Sequence, residues 1–356
     1  MRIGMIAPPW FPLPPKGYGG IEFVVHLLTE GLVARGHDVT LFAHRDSQVP
    51  CRLLAYPAQQ SGGASNILRN LRHVAREVWK GGYDLIHSFG RLLYLLPVLP
   101  LRLPKIMSYQ RTISPRSIAA GGWLGRGSLH FTACSRHMIR RWNGTSQWHV
   151  VYNGVPLAAY RATCDVAADA PLAYLGRIER IKGAHLAIEV AQRSGRRLRI
   201  AGNVSAAAEH QQYFQQKIVP HLDGNIEYLG PVDDRGKNDL LGSSAALLMP
   251  ILWEEPFGIV MAEALACGTP VIGLRRGSVP EVVQDGINGF VCGSVEEMAA
   301  AVAKLFVIDR RTCRASCEAK FSDEAITRAY LDLYSAVIES GTKVVRLQGD
   351  GVCGSV

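Results

Sequence analysis

The sequence predicts an α/β chain built from two doubly wound, parallel-sheet domains. Three observations predict it. The chain has 356 residues, beyond the size at which one hydrophobic core keeps growing. Short apolar runs rich in β-branched residues alternate with longer amphipathic stretches along its length. Those short runs are continuously apolar rather than alternating, which marks strands covered by helices on both faces.

The strand-like runs fall at Arg2–Ala7, Asp38–Ala43, Arg52–Tyr56, Asp84–Phe89, Lys105–Tyr109, Leu129–Cys134 and His149–Tyr152. A second series follows at Leu172–Leu175, Leu198–Ala201, Ile226–Leu229, Ala246–Pro250, Pro270–Leu274 and Gly289–Cys292. Helix patterns lie between them at Ile21–Arg35, Ser65–Lys80, Ala184–Arg193, Gly258–Ala266, Val295–Leu305 and Asp323–Glu339. The two series part near Asn153–Ala170, where Asn-Gly-Val-Pro and an Ala/Asp-rich stretch interrupt the rhythm. The expected domains are therefore 1–155 and 156–322, with a helix over 323–340 able to pack on either. Residues 341–356 show little periodicity and are expected to be disordered.

Composition narrows the function. Apolar residues make up 48% of the chain, too many for disorder. The most apolar stretch, Leu92 to Leu103, is broken by Pro97, Pro100 and Arg102 and falls short of the roughly 20 residues a membrane helix needs. The first residues read as a buried strand running into Pro8-Pro9, not as a cleavable leader. The eight cysteines include no Cys-x-x-Cys pair, so reduced thiols in a cytoplasmic protein are expected. Net charge is +9, but unevenly spread: residues 1–150 carry 18 Lys+Arg against 6 Asp+Glu, the remainder 21 against 24. That asymmetry implies an anionic partner for the first domain, such as a membrane surface or phosphorylated acceptor. No nucleic-acid motif accompanies it.

In open α/β sheets ligands sit beyond the carboxyl ends of the strands, so the informative residues are those just after a strand. Glu255-Pro-Phe-Gly-Ile-Val-Met-Ala-Glu263 follows the strand Ala246–Pro250 and opens a helix, with Gly268 and Pro270 closing it. A helix start there offers free N–H groups to a phosphate, and Glu255 beside it can accept hydrogen bonds from sugar hydroxyls. Glu263 lies in an apolar helix, where a carboxylate must be paired or liganded. Taken alone, the two read first as a helix-start carboxylate and a structural ion-pair member.

Gly176-Arg177-Ile-Glu-Arg-Ile-Lys182-Gly183 follows the strand Leu172–Leu175. Its Arg177 and Lys182 suit a diphosphate clamp as well as a solvated basic loop, while Arg180 reads as solvent-facing. Lys16-Gly17-Tyr18-Gly19-Gly20-Ile-Glu22 is a Gly-rich strand-to-helix turn through which Gly19 and Gly20 can approach phosphates. His87, ending the strand Asp84–Phe89, is either a sugar-binding or transfer-positioning imidazole or a satisfied core histidine. Tyr109 and Arg111 after the next strand, with Tyr18, form a candidate acceptor surface. No Asp-x-Asp triplet presents a divalent cation, so no metal and no cofactor are expected.

In this order, the Glu-x7-Glu segment Glu255–Glu263 and the Gly-Arg-x4-Lys-Gly element Gly176–Gly183 resemble the retaining glycosyltransferases of family 4, over residues 1 to 340. The resemblance implies the GT-B architecture, two Rossmann-like domains facing across a deep cleft that holds a nucleotide sugar. It implies that Arg177 and Lys182 bind the diphosphate. Glu255 then holds the transferred sugar with the backbone of Phe257, Gly258 and Ile259, Glu263 holds the ribose, and Val232 sits near the base. Gly19 and Gly20 contact the phosphates from the first domain. The implied reaction moves a hexose, from UDP-glucose by preference, to a sugar, small-molecule or lipid-linked acceptor, the leaving phosphate taking the acceptor proton. Where relatives carry His-x-His, this chain has His87-Ser-Phe89. That departure keeps open a nucleotide-sugar-binding protein with impaired transfer; a GT-B sugar-nucleotide epimerase is the other alternative. The helix Ser65–Lys80 pairs an apolar stripe with Arg69, Arg72, Arg76 and Lys80, which suits core packing or peripheral contact with an anionic membrane.

Overall fold

The computed structural model describes residues 1–15, 19–59, 63–111, 113–142 and 148–349. It divides into two compact units, residues 1–152 with 323–356, and residues 153–322. Among the described residues each unit is built on one all-parallel sheet.

The first unit holds β1 (Arg2–Ile6), β2 (Asp38–Ala43), β3 (Arg52–Ala55), β4 (Leu85–Ser88), β5 (Lys105–Tyr109), β6 (Leu129–Ala133) and β7 (Trp148–Val150). Their order across the sheet is β3-β2-β1-β4-β5-β6-β7. The second holds β8 (Leu172–Leu175), β9 (Leu198–Ala201), β10 (Ile226–Gly230), β11 (Ala246–Met249), β12 (Val271–Leu274) and β13 (Gly289–Cys292), ordered β10-β9-β8-β11-β12-β13. Both orders are the Rossmann-like winding, in which direction of progression reverses beside the first strand. Each predicted strand is present, because a run such as Ala246–Met249, buried at every position, is stable only inside a covered sheet.

A core of the second unit gathers Leu172, Leu198, Ile200, Leu248 and Ile272 from one face of the sheet, with Ile188 of the helix Ala184–Ser194 packed on it. Helices at Pro115–Gly125, Ala208–Lys217, Asp234–Gly242 and Arg310–Lys320 were not among the sequence expectations. They are short and polar or Gly-rich, and the buried face of Arg310–Lys320 is carried by Cys313 and Cys317 rather than by large apolar residues.

The C-terminal helix runs from Asp323 to Gly349, past Ser340, where the sequence reading placed the start of a disordered tail. Residues 341–349 contain no proline and several good helix formers, so nothing ends the helix there. Residues 350–356 lie outside the described residues. Ile326, Tyr330, Leu333, Tyr334 and Val337 enter the first unit's core beside Val25, Leu28 and Leu32 of the Gly20–Ala34 helix. Gly31 makes the approach possible: a Cβ there would lie 2.2 Å from the Thr327 hydroxyl oxygen.

His87 corrects a sequence expectation. Its ring is fully buried on β4, with Nδ1 2.6 Å from the Tyr334 hydroxyl and Nε2 2.6 Å from Ser108 Oγ. Ser108 Oγ in turn lies 2.5 Å from Thr132 Oγ1. One donor and one acceptor are what a neutral imidazole can satisfy, so His87 is a core polar tie between β4, β5, β6 and the last helix. Burial pulls its pKa down to about 3.

Two outcomes follow from this packing. Gly31→Val should destabilise the protein by about 1–3 kcal/mol through overpacking, and adding Thr327→Ala should recover part of that loss in a urea-denaturation double-mutant cycle. For His87, the unfolded ring binds a proton below pH about 6.5 while the folded ring resists until about 3. Its contribution is therefore present at neutral pH and lost as pH falls through that window, by about 1.4 kcal/mol per pH unit. Urea midpoints of wild type and His87→Gln between pH 7 and 4.5 should diverge accordingly, with the wild type the more acid-sensitive; parallel curves would refute the assignment.

Candidate functional site

In the second unit the winding reverses between β8 and β11, so the loops leaving their carboxyl ends diverge and open a crevice. The loop after β8 is Gly176–Gly183 and the loop after β11 is Pro250–Gly258. They are tied to each other: the Leu252 amide donates to the Ile181 carbonyl at 2.8 Å. Gly183 has φ +78°, and a Cβ there would sit 2.0 Å from the Pro250 carbonyl oxygen. Only glycine permits both that backbone and that approach.

This contact brings the predicted cation and carboxylate together. Lys182 Nζ donates to Glu255 Oε2 at 2.5 Å, and the same oxygen accepts the Trp253 indole N–H at 2.9 Å. Lys182 Nζ also lies 4.7 Å from the Trp253 ring centroid, within cation–π range. Glu255 is buried, a position a carboxylate tolerates because it is paired and hydrogen-bonded. The turn after β12 braces it from behind. Ser278 N–H donates to the Glu255 carbonyl at 3.0 Å, and Ser278 Oγ donates to the Phe257 carbonyl at 2.8 Å. A Cβ on Gly277 would come within 2.3 Å of the Glu255 nitrogen.

The helix Ile259–Ala266 begins directly after Gly258, leaving its first N–H groups beside Glu255. Behind it, Arg310 is buried and donates to the carbonyls of Thr163, Gly242 and Ser244 and to Thr269 Oγ1, fixing the turn where the helix ends. Within the helix, Glu263 Oε1 accepts the Tyr160 hydroxyl at 2.8 Å and Lys237 Nζ at 3.0 Å. Burial works to lower the Lys237 pKa, but Glu263 and Asp234 outweigh it and the group is held above its ordinary value. Burial and the Glu263 charge push the Tyr160 hydroxyl up. The buried glutamate that the sequence marked as needing a partner therefore has two.

The remaining predicted residues fall as follows. Arg177 is half-exposed and pairs with the buried Glu179. Phe257 is buried, and Gly258 and Ile259 open the helix. Val232 borders a separate cleft of about 730 Å³ with Arg161, Arg197 and Asn238, and no residue of the 176–183 or 255–259 segments lines it. In the first unit Gly19 caps the helix Gly20–Ala34, and Tyr109 and Arg111 line a cleft of about 400 Å³. Tyr18 lies outside the described residues. Sequence reasoning missed Trp253, Tyr160, Lys237, Glu179 and the Gly277-Ser278 turn. Trp253 was within reach, two positions before Glu255; Tyr160 and Lys237 come from other elements and carry no local signal.

Comparison with known proteins gives the family. Residues 170–307 match a family model described as glycosyl transferases group 1, and residues 18–159 match the model of glycosyltransferase family 4. The chain is 30% identical to a glycogen synthase of Mycobacterium tuberculosis, over 94% of this chain and 95% of that one. It is 25% identical to the phosphatidyl-myo-inositol mannosyltransferase of Mycolicibacterium smegmatis, over 97% and 96%. Among solved structures, Anabaena HepE in complex with UDP-glucose shares the fold, with a TM-score of 0.72 at 17% identity, covering 94% of this chain and 100% of that one. A parallel-sheet switch point bearing a paired Lys182 and Glu255, in a chain with these relatives, identifies it: the protein belongs to glycosyltransferase family 4 and is a GT-B enzyme that uses sugar-nucleotide donors.

Proposed function

We propose that the enzyme transfers a hexose with retention from a uridine diphosphate sugar, UDP-glucose by preference, without a metal ion. The observation that carries this reading is the Lys182–Glu255 pair at the carboxyl ends of β8 and β11. Each neutralises the other. A pyrophosphate arriving at the loop draws Lys182 and Arg177 to its oxygens, and Glu255 is released to accept hydrogen bonds from the sugar. The N–H groups at the start of Ile259–Ala266 add a positive dipole end to the same phosphates. Glu263 takes the ribose hydroxyls. The solved complex of Anabaena HepE with UDP-glucose favours uridine and glucose among donors.

The charge state of the carboxylates decides the mechanism. Glu263 stays engaged by Lys237 and Tyr160, and Glu255, once released by Lys182, still accepts the Trp253 indole N–H and the sugar hydroxyls, which makes either a poor nucleophile. In the proposed step the C1–O bond to the diphosphate breaks and the acceptor oxygen bonds to C1 on the same face. The acceptor proton passes to the departing phosphate oxygen, so no protein group gains or loses a proton. The enzyme contributes orientation and electrostatic stabilisation of the leaving diphosphate. His87, locked in the core, has no part in it.

Peripheral membrane contact belongs to the same proposal. On the helix Ala64–Trp79 the solvent side carries Leu68, Arg69, Arg72, Arg76 and Trp79, and Lys80 follows it. Trp79 is 61% exposed. A cationic stripe with an exposed indole suits an anionic bilayer surface. Among the described residues no helix is long and apolar enough to cross a membrane.

Two experiments test the proposal. Calorimetric titration with UDP-, GDP- and ADP-glucose should show tightest binding to UDP-glucose, unchanged by chelator. Arg177→Ala and Lys182→Ala should each weaken it by about 10- to 150-fold, the worth of a charge-assisted hydrogen bond; unchanged affinity in both variants removes the clamp. Sedimentation with phosphatidylglycerol vesicles should recover the protein, vesicles of phosphatidylcholine should not. Replacing Arg69, Arg72 and Arg76 by alanine should cost about 3 kcal/mol of that binding, at about 1 kcal/mol per charge.

A further inference from the structure

Residues 160–163 belong to no helix or strand, yet side chains from two helices of the second unit hold this segment. Asn238, on the helix Asp234–Gly242, donates to the Ala159 carbonyl at 2.9 Å. Arg314, on the helix Arg310–Lys320, donates to the Tyr160 carbonyl at 2.8 Å and to the Ala266 carbonyl at 2.7 Å. The Thr163 amide donates to the Cys267 carbonyl at 3.0 Å, and Arg310 donates to the Thr163 carbonyl at 2.7 Å. The segment is thereby fixed along the end of the helix Ile259–Ala266. The side chain it delivers is Tyr160, which is buried and whose hydroxyl donates to Glu263 Oε1.

The same oxygen takes the Lys237 ammonium, and Asp234, on the helix that carries Lys237, holds that ammonium at 2.7 Å. Among the described residues no donor reaches the other oxygen, Glu263 Oε2. Nor is Oε2 one of the sealed polar atoms left without a partner, so it opens to solvent. Glu255 is divided in the same way, with Lys182 and Trp253 both on Oε2. A carboxylate buried for stability alone has its acceptor sites shared among the donors at hand. Here one oxygen carries both donors and the other none. The last torsion of a glutamate is broad and roughly two-fold; two donors on one oxygen hold it in a single orientation. The bare oxygen is then an acceptor of fixed direction, suited to a pair of adjacent hydroxyls.

We infer that Tyr160 and Lys237 are positioning residues of the donor site. They hold Glu263 so that its free oxygen receives the ribose diol, and they set the preference for a ribose over a sugar lacking those hydroxyls. The inference rests on the proposed reading in which Glu263 takes the ribose hydroxyls.

Calorimetric titration of the full chain with UDP and with dideoxy-UDP, which lacks both ribose hydroxyls, isolates the diol. The guanosine and adenosine pairs, run in parallel, make the result independent of base preference. The wild type should bind the ribonucleotide at least about tenfold more tightly, the worth of a hydrogen bond to a charged group, and Glu263→Gln should lose most of that preference. Tyr160→Phe, which keeps the ring, and Lys237→Met should each cut the preference by about threefold or more, with dideoxy affinity moved by less than about twofold. Lys237→Arg, which keeps the cation, should retain it, and urea midpoints establish that each variant is folded. An unchanged preference in both Tyr160→Phe and Lys237→Met, with Glu263→Gln still losing it, overturns this inference and leaves the ribose role of Glu263 standing. Equal weakening of ribo- and dideoxynucleotides in both variants also overturns it, because that marks structural support alone. Equal binding of the two members of every pair by the wild type overturns this inference and the ribose role together.

Discussion

Lys182 and Glu255 stand 73 positions apart in the chain and meet at 2.5 Å. Their meeting is a consequence of sheet order. β8 and β11 are neighbours although β9 and β10 intervene in sequence, so the two loops that leave their ends share one crevice. The pair would be costly to bury if either member lacked the other. Every local feature around it serves to keep that geometry. Gly183 lets the cationic loop lie against the Pro250 carbonyl, and Gly277 lets the turn after β12 lie against Glu255. Trp253 closes the remaining side with an indole N–H and a ring face.

On the proposed reading, a pair held this way is a stored binding site: both charges are largely desolvated by folding, so part of the cost of dehydrating the cation that meets the pyrophosphate is met there. Glu263 repeats the arrangement inside the helix that follows, with Lys237 and Tyr160 as its partners. Two carboxylates, one in the loop before this short helix and one within it, thus each carry a lysine from a different element. That pairing explains how a helix whose other described side chains are apolar tolerates Glu263.

The strands were legible in the sequence because burial on both faces writes continuous apolar runs, and the loop residues Arg177, Lys182 and Glu255 were legible because ligand-binding residues follow strands in this winding. What lay outside local reach is the partnering across elements. His87 shows why. On a strand, side chains alternate, so His87 shares a face with Leu85 and Phe89, and that face is covered by Tyr330 and Tyr334 of the last helix. The hydroxyl that satisfies His87 Nδ1 belongs to a residue 247 positions later. Nothing within the Leu85–Ser88 run announces it, and a strand-end histidine therefore read equally as ligand or core. Val232 is placed differently: it follows a strand as the rule requires, but β10 is an edge strand, and its turn borders another cleft.

Phe89 links the core of the first unit to its cleft. A histidine at that position would bring a second imidazole into a layer where His87, Ser108, Thr132 and Tyr334 already satisfy one another. It would need a partner of its own or remain a buried polar group at a cost of about 1–3 kcal/mol. Phenylalanine removes that demand and packs on the rings of His87 and Tyr330 instead. The same substitution strips the cleft of a hydrogen-bonding group, leaving Arg91 and Arg111 as its charged lining. Core packing and the polarity of the cleft thus meet at one side chain. The polarity that the second unit concentrates in paired lysines and glutamates is, around the first unit's cleft, carried by Arg91, Arg111 and Gln110 beside aromatic walls.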